Sequence, residues 1–593
     1  FAWKSLLHLR DGGTVGLLPP WSNRREPDRK SVTWCEEHQV PMPGKEDAWA
    51  FAWKSLLHLR DGGTVGLLLP AMGFLHNHSP KAVEARNRLV GETRILRVIN
   101  FADLRFQLFE GAVRPAALVI YRRVEADTPG YRFDYWTPKA DLNLRMGRVI
   151  TLSNADKGTV TSRQVREDPF VFKQRLWMSD PESKLFNYLA SFTRLGASVS
   201  EYRKVYRRID AYQDRWVVGN GFQVVNEERL GDDGYRSERS EVVPHIPYLP
   251  IEAFQILAQD WEHLSPFDDG HDGIVRRKGF QRGFDGPRVL VPRGISTPHQ
   301  RLRATYLEAP LTFDSVILAI SAPVEDANRA KLLTALLNSK LLLWFAFHGT
   351  ASFGSERPEI QQGELLRLPF PAPEELQRDS PSEEVADELV SLIDDAKSAR
   401  ANFVLQPEDV ELLRRLDGLC YQYFGLGDEE IALVDAAVDH VIPAVQPHQG
   451  ASLDLWAPAQ RSDREAYASA LVGRLSPWFD EDVVINVALE ACNSDLALLQ
   501  LRLVDRRRRQ PYQEGSDRSV GQAFRRLRKQ FDVPLPGNFQ LVPDFHLFAG
   551  SNLYLVKPLQ RRFWLRSAAV ADADALAMEL NHAVRIGKVG GPS

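Results

Sequence analysis

The chain has 593 residues, of which 44% are hydrophobic and 26% charged, with a formal net charge of -4 at pH 7. This composition excludes a disordered or fibrous chain, and the length suggests roughly three to five domains. Cys35, Cys420 and Cys492 are far apart and form no CxxC pair, so neither a disulfide framework nor a zinc site is expected. Because the sequence shows no signal peptide and no apolar run of membrane-spanning length, we expect a cytoplasmic protein without membrane contact.

The first eighteen residues repeat a later segment. Phe1 to Leu18 match Phe51 to Leu68 letter for letter. A natural duplication would rarely remain identical while its surroundings differ. We therefore interpret positions 1–18 as an error of sequence assignment.

The segment from Pro19 to Arg123 alternates helical and strand patterns. An aromatic loop, Pro19-Pro20-Trp21, comes first, and apolar spacing then predicts a helix from Ala48 to Leu59 that Gly62-Gly63 ends. Three short apolar runs predict strands at Val65–Leu69, Ile95–Phe101 and Ala116–Tyr121.

Buried strands separated by helices favour an α/β fold with an open, largely parallel sheet. Ligands of such sheets bind at the carboxyl ends of the strands. Pro19-Pro20-Trp21 and Phe109 are candidates to meet at that edge.

The order of these motifs resembles the gamma-class N6-adenine DNA methyltransferases of type I, type IIG and related phage-defence systems. The matching residues are Pro19-Pro20-Trp21, the helix with Gly62-Gly63 and the strand to Pro70, and Leu108-Phe109-Glu110-Gly111-Ala112. The resemblance implies a partial Rossmann-like sheet, S-adenosylmethionine as methyl donor and double-stranded DNA as substrate. It also implies that Pro19, Pro20 and Trp21 hold an extruded adenine and that Phe109 packs against the base. Base flipping is needed because the amino group of a paired adenine cannot be reached.

Two departures from the family pattern concern the same end of the chain. The family has Asn before the two prolines, where this chain has Leu18. If positions 1–18 are an error, the genuine segment would be a glycine-rich strand and loop ending in Asn. The family's cofactor loop also precedes this motif, so we expect the chain to be the C-terminal part of a longer enzyme. Asp11-Gly-Gly and Asp61-Gly-Gly are interpreted as helix stops rather than nucleotide loops.

Two polar segments beside these motifs have alternative interpretations. Arg24 and Arg25 follow the aromatic loop and would contact phosphate, or they belong to a solvated surface loop. His76 and His78 resemble a pair of metal ligands, but no third ligand follows at a useful spacing. This favours loop histidines whose hydrogen bonds are made within the protein.

The middle of the chain resembles the target-recognition domains that follow the catalytic domain in this family. Tyr131–Trp136 predicts an edge strand or hairpin before it. The resemblance rests on Leu336–Phe345 with its Asn-Ser pair, on Glu356–Ile360 and on Leu368-Pro-Phe-Pro371. It implies an α+β recognition domain over residues 181–373, followed by a helical segment over 374–450.

A basic, glycine-rich cluster from His271 to Arg303 is the first candidate DNA contact. Its eight Lys/Arg face two Asp, and Phe280 and Phe284 are interleaved. This pattern favours phosphate contact with groove insertion, and a solvated basic loop is the alternative. The candidate DNA-binding residues in this cluster are Arg276, Arg277, Lys278, Arg282 and Arg288.

The last region, 451–593, has its own mixed α/β pattern. Arg464–Leu475 predicts a helix, Val483–Leu489 a strand or helix, and Phe539–Val542 and Leu553–Val556 strands. Tyr554–Pro558 and Arg561–Leu565 are interpreted as a hairpin. Between Arg502 and Lys529, ten basic residues face three acidic ones, and phosphate or partner contact is predicted for Arg506, Arg507, Arg508 and Arg509.

These patterns predict an S-adenosylmethionine-dependent, site-specific DNA adenine N6-methyltransferase of a restriction-modification or anti-phage defence system. The expected organisation is a suspect segment 1–18, the end of the catalytic domain at 19–180, the recognition domain, the helical segment and an accessory domain at 451–593. Other subunits of a defence complex are possible partners, and no metal is required. The alternatives are an inactive DNA-recognition or scaffold subunit and a small-molecule or RNA methyltransferase.

Overall fold

A computed structural model describes most of the chain in two compact units. Unit 1 comprises Phe1–Ser183 with Pro443–Ser593, and unit 2 comprises Lys184–Ile442. The described residues are 15–17, 30–60, 62–108, 114–123, 130–140, 144, 149–153, 156–202, 215–229, 234–295, 301–376, 382–398, 407–445, 454–479, 481–510, 512–515, 520–531, 545–549 and 552–585. They form several mixed sheets with many helices, so the expected α/β class is confirmed.

The N-terminal part of unit 1 is built on one mixed sheet. Its described strands are β1 (Val15–Leu17), β2 (Thr64–Pro70), β3 (Thr93–Asn100), β4 (Ala116–Arg123), β5 (Arg132–Trp136) and β6 (Lys157–Thr161). Their order is β1-β2-β4-β3-β5-β6. Only β1 with β2 and β3 with β5 run parallel, and the other pairs are antiparallel.

The prediction of a largely parallel sheet was therefore wrong. β4 runs antiparallel to β3 although residues 101–115 lie between them, so a connection long enough for the crossover of a parallel pair does not by itself make the pair parallel. The apolar pattern of a strand buried on both faces does not reveal its direction. Tyr131–Trp136 also differs from the predicted edge strand, because β5 lies between β3 and β6.

Helices cover this sheet and fill its core. They are α1 (Lys30–Glu37), α2 (Asp47–Leu57), α3 (Pro80–Glu92), α4 (Arg105–Leu108), α5 (Ser162–Glu167) and α6 (Val171–Trp177). A π-helical turn, Met72–His76, follows β2. Trp49, Ala52 and Trp53 of α2 are buried in the core. In β1 and β2 the two copies of the repeated sequence pair in register, Val15 with Val65 and Leu17 with Leu67.

The described strands of unit 2 are β7 (Val199–Glu201), β8 (Trp216–Asn220), β9 (Glu238–Arg239), β10 (Leu257–Ala258), β11 (Ile274–Val275), β12 (Arg288–Pro292), β13 (Thr305–Leu307) and β14 (Ile317–Ser321). They form a second mixed sheet, of order β10-β13-β12-β14-β8-β7, and a separate two-stranded ribbon of β9 and β11. The helices are α7 (Asp180–Ala190), which begins in unit 1, α8 (Leu195–Ser198), α9 (Ala327–Leu337), α10 (Lys340–Gly349), α11 (Gln362–Leu365), α12 (Ser382–Ser398), α13 (Pro407–Tyr423) and α14 (Asp428–Ala436). A further helix, α15 (Ile442–Val445), begins at the last residue of unit 2 and continues in unit 1.

The Asn-Ser pair between α9 and α10 shapes this unit. The Asn338 amide donates to the Ala304 carbonyl at 2.7 Å and accepts from the Ala304 N–H at 3.0 Å, so a side chain takes the place of a strand partner. Ser339 caps α10 by accepting from the Leu342 N–H at 3.2 Å. The chain therefore turns sharply at this pair.

No single helix among the described residues is long and apolar enough to cross a membrane. Val324–Leu337 and Lys340–Gly349 meet that test only as a pair, and the pair is bent by 71°.

The described residues of the C-terminal domain of unit 1 form a sheet packed against three helices. Its strands are β15 (Val483–Cys492), β16 (Leu496–Asp505), β17 (Gln513–Glu514), β18 (Phe545–Ala549) and β19 (Asn552–Pro558), and its helices are α16 (Arg461–Leu475), α17 (Val520–Phe531) and α18 (Arg566–Arg585). The predicted hairpin of Tyr554–Pro558 with Arg561–Leu565 was wrong. β19 pairs with β18 and β16 instead, and Arg561–Phe563 forms a turn before α18. The predicted strand at Phe539–Val542 lies outside the described residues.

Candidate functional site

The first candidate site is one edge of the N-terminal sheet. β1, β2, β3 and β5 all end there, and β4 begins there, with Pro70 opposite Ala116 and Asn100 opposite Ala117. Leu17 and Leu108 therefore lead from this edge into the two segments that carry the predicted base-holding residues. Pro19, Pro20, Trp21, Phe109, Arg24 and Arg25 themselves lie outside the described residues.

A buried hydrogen-bond network fixes the loops at this edge. The Asn100 amide nitrogen lies 3.0 Å from His76 Nε2 and donates to the Tyr135 hydroxyl at 2.9 Å. Tyr135 donates in turn to the Phe172 carbonyl at 2.5 Å, and its burial raises the pKa of the phenol. His76 is thus a structural histidine, and His78 stacks on Phe170 with ring centroids 4.8 Å apart. No group of described His, Cys, Asp or Glu residues could hold a metal ion.

Arg86 organises the turn that follows β2, a role that its sequence context did not indicate. Its guanidinium is buried and donates to the carbonyls of Leu75 at 3.1 Å, Asn77 at 2.9 Å and Pro169 at 3.2 Å. Burial lowers the pKa of Arg86 to about 10, and Asp168 opposes that change. This arginine therefore stabilises the backbone of the edge rather than a ligand.

Beside α4 lies a small polar cleft of about 20 Å³, lined by charged side chains and two tryptophans. Burial raises the pKa of Asp103, which accepts from the Ala140 N–H at 2.8 Å. Burial also lowers the pKa of Lys139 to about 8, while Asp156 and Asp103 oppose the change. Lys139 donates to the Thr137 carbonyl, the Thr137 hydroxyl and the Leu176 carbonyl. The cleft has room for about one water molecule.

Residues of the second chain segment of unit 1, Pro443–Ser593, line the same cleft. Arg105 of α4 donates to the Val445 carbonyl at 2.8 Å, and Arg562 pairs with the buried Asp156 at 3.1 Å. The Arg105 contact fixes α4, which ends at Leu108, the residue before Phe109 in the chain.

The second candidate site is the basic surface of unit 2, around the β9–β11 ribbon. Arg277 is exposed, and Arg276, Lys278 and Arg282 are half-buried. Two arginines lie over the Tyr235 ring. The guanidinium carbon of Arg276 is 4.3 Å from the ring centroid, and that of Arg229 is 5.3 Å from it. Sequence reasoning missed Tyr235 and Arg229 because no charge run includes them.

Part of the predicted basic cluster is structural. Arg288 is fully buried and donates to the carbonyls of Gly286 at 2.8 Å and Ala309 at 2.6 Å, so it cannot contact DNA from this position. Phe280 and Phe284 belong to the hydrophobic core, so the predicted groove insertion by these rings was wrong. Gly219 allows the close packing of Phe280, because a Cβ there would lie 2.4 Å from the Phe280 Cβ. The two rings therefore anchor the basic segment.

The third candidate site is the four-arginine run Arg506–Arg509 of the C-terminal domain. All four residues are exposed, and Arg506–Arg508 form a 3-10 turn after β16. Asn486 of the neighbouring strand bonds to this turn, a contact that the sequence spacing could not reveal.

No protein-family model and no curated protein matches the chain. Solved structures match it at low identity. MmeI, a type IIL restriction-modification enzyme solved in complex with DNA, is 10% identical, with a TM-score of 0.42 over 73% of this chain and 57% of that one. The type IIG restriction endonuclease BpuSI is 12% identical, with a TM-score of 0.27 over 69% and 54%. The M protein of the type I restriction enzyme EcoKI is 12% identical, with a TM-score of 0.17 over 22% and 27%. The chain thus spans little more than half the length of the first two enzymes.

Proposed function

We propose that this chain is the base-holding and DNA-recognition portion of a site-specific DNA adenine N6-methyltransferase of a restriction-modification or related defence system. The observation that carries the proposal is the topology of the N-terminal sheet. β1, β2, β3 and β5 end at one edge of the sheet, and Leu17 and Leu108 are the last described residues before the segments with Pro19-Pro20-Trp21 and Phe109. In this proposal the two aromatic residues meet at that edge, as the stacking of an extruded base requires.

In this proposal the chain holds the adenine in position, and its side chains take little part in the covalent chemistry. Trp21 and Phe109 stack on the base, and a carbonyl at Pro19-Pro20 accepts a hydrogen bond from the amino group. Most of the rate enhancement comes from orientation, because effective molarities of well-oriented groups reach ~10⁵ M or more.

The described residues do not include a set that fits S-adenosylmethionine. At the sheet edge Asn100, Tyr135 and Arg86 are bonded within the protein. The family's cofactor loop would precede Pro19, outside the described residues.

DNA contact in this proposal falls to unit 2. Arg276, Arg277, Lys278 and Arg282 lie at the surface beside a short two-stranded ribbon. A ribbon of this kind fits the major groove of B-DNA. Arg288 is not part of this surface.

Methyl transfer to DNA tests the proposal. We would incubate the full chain with labelled S-adenosylmethionine and duplex DNA and identify N6-methyladenine in the digested product by mass spectrometry. Trp21→Ala should lower transfer about 5- to 150-fold, since stacking on one base contributes ~1–3 kcal/mol. Trp478→Ala, at a tryptophan that is 61% exposed, is the matched control and should retain activity. Equal loss in both variants, or labelled RNA without labelled DNA, would contradict the proposal.

A second candidate is a recognition or scaffold subunit that does not transfer methyl groups. If Leu18 is the genuine residue, it favours this candidate, because leucine cannot accept the hydrogen bond that the family's Asn accepts from the adenine amino group. Calorimetry with S-adenosylmethionine separates the two candidates. A chain that binds DNA but releases no heat with the cofactor fits the recognition subunit.

A further inference from the structure

A basic turn follows β16, the second long strand of the C-terminal domain. β16 runs to Asp505, and the exposed residues Arg506, Arg507, Arg508 and Arg509 follow at once. We call these four residues the arginine corner. Unlike the basic cluster of unit 2, it contains no arginine that is buried.

Four hydrogen bonds hold the backbone of the arginine corner without using its guanidinium groups. The Asp505 carboxylate accepts from the Arg507 N–H at 2.8 Å, and the Asp482 carbonyl accepts from the Arg506 N–H at 2.7 Å. The Asn486 amide donates to the Arg508 carbonyl at 3.0 Å and accepts from the Gln510 N–H at 2.9 Å. The charged side chains are therefore displayed from an ordered support.

Within the part of the chain that the structure describes, the guanidinium groups of Arg507, Arg508 and Arg509 have no carboxylate partner, whereas other arginines of the domain do. Among the described residues, the arginines with carboxylate partners in this domain are Arg461, Arg464, Arg474, Arg526, Arg561 and Arg562. Three adjacent unpaired cations repel one another, and an anionic partner would relieve this repulsion.

We propose that the arginine corner is a sequence-independent contact for the phosphate backbone of duplex DNA. The planar guanidinium fork binds phosphate oxygens in pairs, and consecutive arginines meet the repeated charge of the backbone. The inference rests on the proposed function for the choice of DNA as the polyanion. It gives the chain a phosphate contact in unit 1 in addition to the surface of unit 2.

The chemistry of the corner favours DNA over two other classes of partner. A protein partner would be expected to meet an apolar or aromatic centre, and the described neighbour Leu503, at 42% exposure, does not amount to one. A membrane surface would require an amphipathic helix with a large apolar face, whereas the corner is a 3-10 turn of three residues.

The salt dependence of DNA binding tests this proposal. The Kd of the full chain for a 40-base-pair duplex would be measured by fluorescence anisotropy at several salt concentrations, without S-adenosylmethionine. In the variant R507Q/R508Q/R509Q, the slope of log Kd against log salt should fall by about 2 to 3, because each phosphate contact contributes ~0.9. The ratio of affinities for any two duplex sequences should stay the same, since phosphate contacts carry no sequence information.

A charge-matched control separates local contact from net charge. R163Q/R414Q/R415Q removes the same three charges from exposed arginines that pair with Glu167, Glu411 and Glu388. We expect this control to keep the slope of the unaltered chain. An equal fall in both variants, or no fall in the corner variant, would overturn the proposal. So would loss of binding to vesicles of phosphatidylcholine with phosphatidylserine while DNA binding stays intact.

The salt dependence of DNA binding and the transfer of methyl groups can fail independently of each other. A chain that transfers no methyl group but loses its salt slope in the corner variant would refute the proposed activity and retain this inference. A chain that methylates DNA with an unchanged slope in that variant would do the opposite.

Discussion

The buried arginines of this protein and its exposed ones do different work, although the sequence presents them in the same runs. Arg86, Arg288 and Arg301 lie in the interior, where backbone carbonyls or a carboxylate surround them. Arg277 and Arg507 point to solvent. A buried guanidinium replaces lost water with protein acceptors, whereas an exposed and unpaired one remains available to a ligand. In a run of positive charge, therefore, only the arginines that the fold leaves exposed are candidates for binding a ligand.

Arg301 should show the largest effect, and the effect should be on stability. Arg301 and Asp417 form an ion pair of 2.6 Å with side chains only 6% and 8% exposed. Arg301→Met would leave the Asp417 carboxylate buried with the Lys340 N–H and without its cation. We expect the free energy of unfolding to fall by about 3–5 kcal/mol. Urea denaturation of the variant and of the unaltered chain measures it.

The matched control for that prediction is Arg414→Met. Arg414 also pairs with a carboxylate, that of Glu411, but both side chains are more than 70% exposed. Its loss should change stability by about 0.5 kcal/mol or less. Similar losses in the two variants would mean that burial does not divide the arginines as we argue.

Lys139 extends the comparison to a buried lysine and gives it a pH dependence. Burial lowers the pKa of Lys139 to about 8, from 10.5. Between pH 8 and 10.5 the unfolded chain therefore binds more protons than the folded one, and stability should rise with pH across this window. Lys139→Met should remove that rise, so the stability difference between variant and unaltered chain should change by ~2–3 kcal/mol from pH 8 to 10. A constant difference over this range, measured by urea denaturation, would count against the buried position of the ammonium group.

Two variants in the basic cluster of unit 2 compare an exposed arginine, Arg277, with a buried one, Arg288. Arg277→Gln should leave stability within about 0.5 kcal/mol and lower the salt slope of DNA binding by about 1. Arg288→Gln should lower stability by about 1–3 kcal/mol, because two buried carbonyls lose their donor, and should leave the slope unchanged. Thermal unfolding and anisotropy on both variants check the four outcomes. A fall in slope for R288Q would show that the arginine is reached by DNA despite its burial.

Periodicity in the sequence predicted the local elements better than their arrangement. The strand at Ala116 and the helix opened by Pro407 follow from apolar spacing and from proline at a helix start. The antiparallel direction of β4 does not, because the apolar pattern of a strand is the same in either direction and the connection at 101–115 is long enough for both. Phe280 and Phe284 were misinterpreted for a related reason. Aromatic rings between arginines suit both an inserted wedge and a core anchor, and only the packing distinguishes the two.

The candidate sites likewise contain some residues that the sequence could identify and others that only the fold reveals. The arginine run at 506–509 could be found from the sequence because its charge is contiguous. Asn486, which supports it from 20 or more positions away, could not, since its role depends on the pairing of β15 with β16. The same holds for Arg86, whose carbonyl partners include Pro169, 83 residues along the chain.

Asn486→Ala should show the smallest effect and tests whether order in the arginine corner matters as well as charge. The substitution keeps all four arginines but removes the bonds to Arg508 and Gln510. Because a less ordered backbone loses more entropy on binding, affinity for duplex DNA should fall a few-fold, about 0.5–1.5 kcal/mol. The salt slope should stay near that of the unaltered chain, since the number of phosphate contacts is the same. Anisotropy over a salt series would reveal both quantities. A slope that falls with affinity would mean that Asn486 determines which arginines touch the backbone, and unchanged affinity would mean that charge alone is sufficient.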